Sequence, residues 1–272
     1  MHQIYFWDII RCYGITQNPD TKDYVIVLNY CKDGNLRNYL NKSENYINYK
    51  SKIDQLFQII RGLLDIHNAG KVHKDFHSGN ILFYDNSLYI SDLGMCQPAN
   101  NEEKSEGIYG VLPYMAPEVL CGCQYTKAAD IYSFGIIMNE FLSEEIPYND
   151  ISHDHILAVK ICKGLRPKIS EDVPKLLTNL IMKCWNVKAE NRPTAKELYQ
   201  SFKKWYDWDY NSEIYFQVKV CDKIRREKFK NNSNENKFKN LQTHPQAIYT
   251  SGLLNFKNLP ELVNSSDLSG II

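Results

Sequence analysis

The most informative part of this sequence is the stretch His73-Lys74-Asp75-Phe76-His77-Ser78-Gly79-Asn80. Two short runs rich in β-forming residues follow it, at 81–84 and 88–91, and the residues Asp-Asn-Ser at 85–87 separate them. Such residues favour turns, and β-forming runs on either side of a turn are typical of a β-hairpin. The pattern therefore predicts that the stretch leads directly into a hairpin.

Two oxygen-bearing side chains are expected to meet at the open end of this hairpin. If Asn86 is the centre of the turn, Asn80 and Asp92 face each other across the strands. An amide oxygen and a carboxylate suit Mg²⁺, which keeps several waters and is usually shared with substrate phosphates. Asp75 precedes Asn80 closely enough to act as a base at the same point, so the arrangement indicates phosphoryl transfer. The alternative at this stage is that these are ordinary turn residues at strand ends.

Five motifs in chain order resemble those of a eukaryotic protein kinase. They are the catalytic loop (His73-Lys74-Asp75 with Asn80), the metal-binding triplet Asp92-Leu93-Gly94, the end of the activation segment (Ala116-Pro117-Glu118), the start of the central helix (130–135) and the loop Asn191-Arg192-Pro193. The likeness covers about residues 4–205. It implies an α+β protein-kinase-like fold, with a mainly α-helical large lobe (C-lobe) and a truncated, β-rich small lobe (N-lobe).

The resemblance also implies roles for the residues of the catalytic loop. Asp75 would orient the substrate hydroxyl or accept its proton, and Asn80 and Asp92 would hold the Mg²⁺ that accompanies ATP. His73 would be a packed residue that supports the turn after Asp92. Lys74 stands where the family usually has an arginine that gathers a phosphate on the activation segment, and lysine keeps the charge but loses the bidentate fork.

Three further residues are expected to hold the large lobe together. In the likeness, Glu118 and Arg192 form a buried ion pair between the activation segment and the rest of the lobe. The carboxylate of Asp130 would hold the backbone of the catalytic loop, although a plain helix cap is an alternative reading of the same residue.

Ser105 and Tyr109 are the candidate phosphorylation sites of the activation segment.

Two apolar runs near the start of the sequence, 8–16 and 24–30, are joined by a turn-rich linker and predict a second hairpin. In the kinase likeness these runs are the fourth and fifth strands of the small lobe. The residues implied to face adenine are Leu28 as gatekeeper, the backbone of Asn29 and Cys31 in the hinge, and Leu82 as the floor of the site.

A complete small lobe of the family also supplies a glycine-rich phosphate loop, a catalytic lysine and a helical glutamate that pairs with it. Before the hinge, the first glycine is Gly14, and the only lysine is Lys22, which lies in the loop between the two strands. The glycine-rich loop, the catalytic lysine and its glutamate partner are therefore missing from this sequence. A truncated gene model, a fragment and a true pseudokinase all stay open as explanations. Taken literally, this sequence should bind ATP poorly and expose an unprotected sheet edge.

The composition fits an intracellular globular protein. The sequence is 43% hydrophobic and 24% charged, and 32 basic residues balance 32 acidic ones, so nucleic acid is not expected as a general partner. Its 8 cysteines form no C-x-x-C pair and are interpreted as reduced thiols. Because the start has no secretory signal and no apolar run approaches the roughly 20 residues of a membrane helix, we expect a cytoplasmic or nuclear protein without a membrane span.

The sequence changes character after residue 209, where lysine and arginine outnumber acidic residues among asparagine and serine. Few apolar residues remain to build a core, so 210–272 is predicted to be a largely disordered tail. Its apolar segment 243–262 is a candidate binding site for a protein partner. The expected organisation is thus a small-lobe remnant at 1–31, a large lobe at 32–209 and a tail.

Two functions remain open on these residues. The first is a protein kinase of intracellular signal transduction that transfers the γ-phosphate of ATP to a protein Ser or Thr hydroxyl, with Tyr as the alternative acceptor. His77 and Val111 depart from the usual Ser/Thr pattern, and the sequence is most similar to the tyrosine-kinase-like group, whose members mostly phosphorylate Ser and Thr. The second function is an inactive docking module. Small-molecule phosphotransferases are disfavoured by 116–118 and Arg192.

Overall fold

The computed structural model describes residues 8–42, 46–99, 107–207, 209–234 and 243–264. Its helices are α1 (Leu36–Lys42), α2 (Tyr49–Asn68), α3 (Pro117–Leu120), α4 (Lys127–Ser143), α5 (His155–Cys162), α6 (Lys175–Cys184), α7 (Ala195–Tyr206) and α8 (Glu213–Asn234). Its strands are β1 (Cys12–Gln17), β2 (Tyr24–Leu28), β3 (Lys71–Val72), β4 (Ile81–Tyr84), β5 (Ser87–Ile90), β6 (Gln97–Pro98), β7 (Ile108–Gly110) and β8 (Gly252–Leu254). The strands pair antiparallel as β1–β2, β3–β6, β4–β5 and β7–β8.

Helix α4 is the centre of the large lobe. Every residue from 129 to 143 is buried, which is the pattern of a helix surrounded by protein on all sides. Gly135 allows α6 to approach closely, because an added Cβ would lie 2.7 Å from the Cβ of Cys184 and 2.8 Å from the Trp185 ring. Helix α2 contacts both α4 and α7. The large lobe is therefore a helical body built around one buried helix.

Helix α2 delivers the chain to the catalytic loop. Asn48 caps its start, with Oδ1 accepting a hydrogen bond from Ser51 N at 2.8 Å. Ile53 and Ile60 recur at helical spacing and are fully buried at 0% exposure. Gly70, with φ of 71°, follows the end of the helix in the left-handed region that favours glycine. The chain then enters β3 and the loop that precedes β4.

The β4–β5 hairpin exists as predicted, but its register differs from the expected one. Ile81 pairs with Ile90, so the loop consists of Asp85 and Asn86 alone. Both loop residues have positive φ, 49° and 58°, as in the two-residue turns that match the twist of a hairpin. The prediction of a three-residue turn centred on Asn86 is therefore wrong.

This register changes which residues meet at the open end of the hairpin. Ser91 lies opposite Asn80, and its N–H donates to the Asn80 carbonyl oxygen at 2.8 Å. The Ser91 hydroxyl donates to the same oxygen at 2.9 Å. Asp92 follows one position beyond this pair. Asn80 and Asp92 are thus near neighbours at the end of the hairpin rather than direct partners across it.

The β1–β2 hairpin is also present, and it is exposed on both faces. All residues of both strands are solvent-exposed, including apolar ones such as Ile15 at 69% and Ile26 at 60%. The chain just before β1 is anchored to the large lobe, since Ile10 N donates to the Ile90 carbonyl oxygen at 2.8 Å and Arg61 forms an ion pair with the buried Asp8. The hairpin itself contributes little to the core.

The structure corrects the prediction of a largely disordered tail over 210–272 for the residues that it describes there. Residues 213–234 form helix α8, which packs against α2. Ile214 and Val218, one helical turn apart, are each only 2% exposed. Their burial supplies the apolar anchor that the basic composition of the segment hid.

A cluster of buried charges completes the docking of α8. Arg225 is 8% exposed, and its guanidinium lies 3.0 Å from Glu144 Oε2 and 3.4 Å from Asp172 Oδ2. Lys52 of α2 is fully buried beside it, with Nζ 2.6 Å from Glu144 Oε1. Burial lowers the pKa of Lys52 to about 8, and the nearby Arg225 adds to that effect. The helix is thus held by ion pairs as well as by apolar contact.

The second described part of the tail, 243–264, contacts the activation segment through β7 and the core of the large lobe. Its strand β8 pairs with β7, and its apolar residues pack against the core, among them Leu254, Phe256, Leu259 and Leu262. Within the described ranges, none of the helices combines the length and the apolar character that a membrane crossing requires.

Candidate active site

Asp75 lies in the loop between β3 and β4 and is only 4% exposed. Asn80 closes this loop, because its Nδ2 donates to the Asp75 carbonyl oxygen at 2.9 Å and to Oδ2 at 3.3 Å. The Ser251 hydroxyl donates to the same Oδ2 at 2.6 Å. On the other side of the carboxylate, His77 Nε2 lies 3.6 Å from Oδ1. The carboxylate is therefore held in one orientation by groups from two distant parts of the chain.

These contacts decide the charge of Asp75. Burial opposes ionisation of the carboxyl group, but the contacts from His77 and Ser251 outweigh it and hold the pKa of Asp75 below its ordinary value. Its Oδ1 is buried and accepts no hydrogen bond from any residue that the structure describes. The group is thus an ionised carboxylate at neutral pH with acceptor capacity to spare.

Asn80 and Asp92 provide the oxygen atoms that fit a metal ion. Since Nδ2 of Asn80 is directed at Asp75, its Oδ1 faces away from that residue. Asp92 is exposed, has φ of 56°, and among the described residues accepts a single, long hydrogen bond, from Gly94 N at 3.4 Å. The described part of the chain holds no group of three or more His, Cys, Asp or Glu side chains suited to a metal. One amide and one carboxylate instead fit a Mg²⁺ that is shared with nucleotide phosphates.

Asp130 is placed where it can hold the catalytic loop. Its carboxylate accepts hydrogen bonds from His73 N at 2.8 Å and from Lys74 N at 3.1 Å, and His67 Nε2 lies 2.9 Å away. Lys74 has φ of 70°, a backbone conformation that is rare for lysine, so these bonds offset local strain. Helix α4 begins before Asp130, at Lys127, so the reading of Asp130 as a plain helix cap is wrong.

The side chains of His73 and Lys74 point to different neighbours. His73 is fully buried, and burial lowers its pKa, so the ring is neutral. Its Nε2 donates to the carbonyl oxygen of Ser91 at 3.1 Å, immediately before Asp92. Lys74 Nζ donates to Gln97 Oε1 at 2.8 Å, on strand β6 of the activation segment. His73 therefore holds the backbone immediately before Asp92, and its Nε2 is engaged as a donor.

Glu118 and Arg192 form a bidentate ion pair. The Arg192 Nη1 and Nη2 atoms lie 2.6 Å and 2.7 Å from Glu118 Oε1 and Oε2. Arg192 is 6% exposed and also donates to the carbonyl oxygens of Ala128 and Asn186. This arrangement ties the start of α3 to the first turn of α4 and to the loop before α7.

The residues expected to face adenine are Leu28, Asn29, Cys31 and Leu82. Leu28 is 46% exposed at the end of β2, and Asn29 N donates to the Arg11 carbonyl oxygen at 2.9 Å, continuing the ladder of the hairpin. The connection from β2 to α1 runs along β4, where Phe83 N donates to the Gly34 carbonyl oxygen at 2.8 Å. This bond places the predicted hinge beside the strand that carries Leu82.

Three other predicted features fall outside this arrangement. Lys22 lies in the β1–β2 loop, where its Nζ donates to the Pro19 carbonyl oxygen at 2.8 Å. Leu93, the middle residue of the triplet after β5 that resembles the kinase metal-binding motif, is 40% exposed because it lies in the short turn that follows the strand. Ser105 lies outside the described residues, whereas Tyr109 is in β7 and its hydroxyl donates to the Ser251 carbonyl oxygen at 3.4 Å.

The sequence analysis missed a buried polar network beneath the catalytic loop. Glu140 of α4 is fully buried and accepts hydrogen bonds from Ser78 Oγ at 2.9 Å and Tyr114 OH at 2.6 Å. Arg37 of α1 donates to the same tyrosine hydroxyl at 3.0 Å. The network fixes Ser78, the residue after His77. The available signal was a glutamate within an otherwise apolar helix, since a buried charge is almost always paired.

The comparisons with known proteins agree with this geometry. The model of the family described as protein tyrosine and serine/threonine kinase matches residues 1–202. RGS domain-containing serine/threonine-protein kinase A of Dictyostelium discoideum is 31% identical over 188 residues, which are 69% of this chain and 16% of that protein. A probable LIM domain-containing serine/threonine-protein kinase of the same organism is 31% identical over 196 residues, 71% of this chain and 30% of that protein.

A plant relative gives the same result. Serine/threonine/tyrosine-protein kinase HT1 of Arabidopsis thaliana is 29% identical over 207 residues, which are 75% of this chain and 53% of that protein. This chain thus spans between about a sixth and about half of the length of these relatives. The family match ends before α8, so the tail lies outside it. The predicted resemblance and the predicted α+β fold are both confirmed, and the chain belongs to the family of protein tyrosine and serine/threonine kinases.

Proposed function

We propose that this protein transfers the γ-phosphate of ATP to a serine or threonine hydroxyl of a protein. The observation that carries the proposal is the state of Asp75, a buried carboxylate whose pKa is held below its ordinary value and which accepts a hydrogen bond from a hydroxyl group at 2.6 Å. Phosphoryl transfer requires a positioned acceptor of this kind for the proton of the attacking hydroxyl.

The chain's own residues would act at three points. Asp75 Oδ2 orients the acceptor hydroxyl and takes up its proton, while Asn80 Nδ2 holds that carboxylate in place. Asn80 Oδ1 and the Asp92 carboxylate would hold Mg²⁺, which neutralises charge on the phosphates when bound. Leu28, the backbone at Asn29 and Cys31, and Leu82 would contact the adenine base. Asp130 acts through the loop backbone and is a positioning residue.

The depth of Asp75 supports serine and threonine as acceptors. Ser251, on a segment that pairs with β7, reaches Asp75 with a side chain of a single carbon. A tyrosine hydroxyl lies several ångströms farther from its backbone and would overshoot the carboxylate from the same strand position. The relatives' names agree, since they include serine/threonine-protein kinases.

The cellular setting follows from the cysteines. All 8 are unpaired in the structure, as expected for a protein kept in a reducing compartment. We therefore place the protein in the cytoplasm or nucleus, where a kinase of this type takes part in signal transduction and acts on other proteins.

A phosphotransfer assay tests the proposed function. Purified protein is incubated with radiolabelled ATP, Mg²⁺ and dephosphorylated casein as a generic acceptor. We expect labelled casein, and Asp75→Asn should lower the rate by about 10²- to 10⁴-fold, the usual contribution of a general base. Asp85→Asn is the matched control, because the same change occurs in the exposed β4–β5 turn. Equal rates for the two variants would contradict the proposal.

A further inference from the structure

The segment 243–264 contacts the catalytic loop at Asp75 and His77, although it lies outside the family match. Its strand β8 extends β7 in an antiparallel pair, with Gly252 opposite Gly110 and Leu254 opposite Ile108. Strand β7 belongs to the activation segment and ends six residues before Ala116. Pairing of an extended segment with the edge of another strand is a common way to bind a peptide. The segment is thus held as a bound peptide would be.

The residues before β8 are anchored by side chains of the large lobe. Arg37 Nη1 donates to the Tyr249 carbonyl oxygen at 3.2 Å, and its guanidinium lies 4.4 Å from the centre of the Tyr249 ring. The Tyr249 hydroxyl donates to the Pro147 carbonyl oxygen at 2.8 Å. His153 Nδ1 lies 2.8 Å from the Ile248 carbonyl oxygen. These contacts fix the segment immediately upstream of Ser251.

The residues after β8 are anchored as well. Phe256 and Leu259 line a cavity together with Ile108 and Leu120 of the activation segment side. His155 Nε2 lies 2.9 Å from the Lys257 carbonyl oxygen, and Val263 N donates to the Cys162 carbonyl oxygen at 2.9 Å. Ser251 therefore lies between two anchored stretches, so its position is determined by the whole segment.

The hydroxyl of Ser251 meets both side chains that surround the catalytic carboxylate. It donates to Asp75 Oδ2 at 2.6 Å and lies 3.3 Å from His77 Nε2. Because His77 Nδ1 accepts a hydrogen bond from Gly79 N at 3.1 Å, the ring N–H that faces Ser251 is on Nε2. His77 can thus donate to Ser251 Oγ while Ser251 donates to Asp75. This arrangement points the hydroxyl proton of Ser251 at Asp75 Oδ2.

The strand register makes this placement specific. A slip of one residue along β7 would turn the side chain of position 251 to the opposite side of the strand. Among the described residues, the neighbouring hydroxyl of Thr250 makes no hydrogen bond to the catalytic loop, whereas Ser251 Oγ contacts both Asp75 and His77. The observed pairing presents one hydroxyl, that of Ser251, to Asp75.

We propose that segment 243–264 is an intramolecular substrate and that Ser251 is its phosphoacceptor. The proposal rests on the proposed kinase function. In the reaction, a new bond forms between Ser251 Oγ and the γ-phosphorus of ATP, and the bond from that phosphorus to the β–γ bridging oxygen breaks. ADP leaves with the bonding electrons, and the hydroxyl proton passes to Asp75 Oδ2 and then to solvent. The products are phosphoserine and ADP.

The product would not stay in the same place. A phosphoserine carries nearly two negative charges at neutral pH, and placed beside the Asp75 carboxylate it is repelled. The segment should then separate from β7 and the catalytic loop, which frees β7 for a second protein. Before the reaction, another acceptor competes with an intramolecular segment that already occupies the site.

The test follows phosphate on Ser251 in the full chain. Wild-type protein, Ser251→Ala, Thr250→Ala and Asp75→Asn are each incubated with ATP and Mg²⁺ in the presence of dephosphorylated casein, and tandem mass spectrometry locates the phosphate. We expect phosphate on Ser251 in the wild type and in Thr250→Ala, at a rate constant that does not change on serial dilution of the protein. Asp75→Asn should lower that rate by about 10²- to 10⁴-fold.

Each outcome has a definite meaning. Dilution-independent labelling of Ser251 supports the proposal. Labelled casein without phosphate on Ser251, or labelling of Ser251 in proportion to protein concentration, overturns it while the kinase function stands. No labelling of either acceptor overturns the kinase function and this proposal together.

Discussion

The β1–β2 hairpin and helix α8 differ sharply in burial, and the burial of each is the reverse of what its composition suggests. The hairpin is rich in apolar residues, yet Ile15 and Ile26 are 69% and 60% exposed. The helix belongs to a strongly basic segment, yet Ile214 and Val218 are each 2% exposed. Burial in this molecule therefore depends on whether a complementary surface is present and not on the average composition of a segment.

The reason is the surface that each element meets. The hairpin is tied to the lobe through the residues just before it, and its strands contact one another. Helix α8 packs on a surface of the large lobe where Glu144 and Asp172 form ion pairs with Arg225. A single stripe of inward residues is sufficient for docking, and the remaining basic residues of the helix stay in solvent.

The largest expected effect comes from removing Arg225, the cation that pairs with both acidic residues. Arg225→Ala leaves Asp172, whose side chain is 4% exposed, without its buried partner. Breaking a buried pair costs about 3–5 kcal/mol, and we expect the lower end of that range because Glu144 keeps Lys52. Urea unfolding measures the change in free energy of unfolding.

Arg226→Ala is the control for this prediction. Arg226 is the next residue and is exposed, and its guanidinium lies 5.3 Å from the Tyr46 ring. An exposed cation–π contact is worth about 0.5–1 kcal/mol. Equal losses for the two variants would mean that α8 is not docked through Arg225.

The same substitution in the two regions gives the next effect. Ile214→Ala removes a buried side chain in the first turn of α8, where the site can partly collapse, and should cost about 2 kcal/mol, the low end for a buried isoleucine. Ile15→Ala removes an exposed side chain of the hairpin and should change the free energy of unfolding by less than about 0.5 kcal/mol. The two values come from the same denaturant titrations. A larger loss at Ile15 than at Ile214 would reverse the comparison.

The smallest effect is a pH dependence that docking creates. The pKa of Lys52 is lowered to about 8 from 10.5, mainly by burial and then by Arg225. Between these pH values the unfolded state binds more protons than the folded state, so the contribution of Lys52 to stability rises with pH. Relative to Lys52→Met, the wild type should gain about 1–3 kcal/mol over this interval.

The difference between the two proteins is measured because cysteines and tyrosines also titrate at alkaline pH, and their effects cancel in it. Unfolding titrations at several pH values give this difference directly. A difference that stays constant across the interval would show that Lys52 is not desolvated beneath α8.

Much of the fold could be predicted, because the family motifs carry it. The order of motifs from the catalytic loop to Arg192 placed the large lobe, and the family match confirms that fold. The predicted register of β4–β5 paired Asn80 with Asp92, one residue beyond its actual neighbour Ser91. Asp85 and Asn86 both tolerate the positive φ of a two-residue loop. That signal was present in the sequence and was read as a longer turn.

The tail shows a second signal that could have been used. Ile214, Val218, Cys221 and Arg225 recur at spacings of four, three and four residues, the stripe of a docked helix. The prediction of disorder came from averaging over the basic residues between them. The average composition of the segment reflects the exposed residues of such a helix. The spacing of its apolar residues is what identifies the buried face.

The contact between Ser251 and Asp75 had no local signal. It depends on the pairing of β8 with β7, two strands that lie far apart in the sequence and are three residues long. Short strands of this kind are specified by tertiary contacts rather than by propensity. The roles of Asn80, Asp92 and the adenine-facing residues stay predictions, because they concern ligands.

The most direct test of the account is calorimetric titration of the protein with ATP and Mg²⁺, since phosphoryl transfer to any acceptor, Ser251 included, depends on that complex. Because the glycine-rich loop and catalytic lysine are not among residues 1–31, the account predicts weak but measurable binding by the wild type and by Asp85→Asn, still weaker binding by Asp92→Asn, and loss of the difference when Mg²⁺ is omitted. Equal binding by all three proteins, or no binding by the wild type, would contradict the central claim that Asn80 and Asp92 form a nucleotide-metal site beside Asp75.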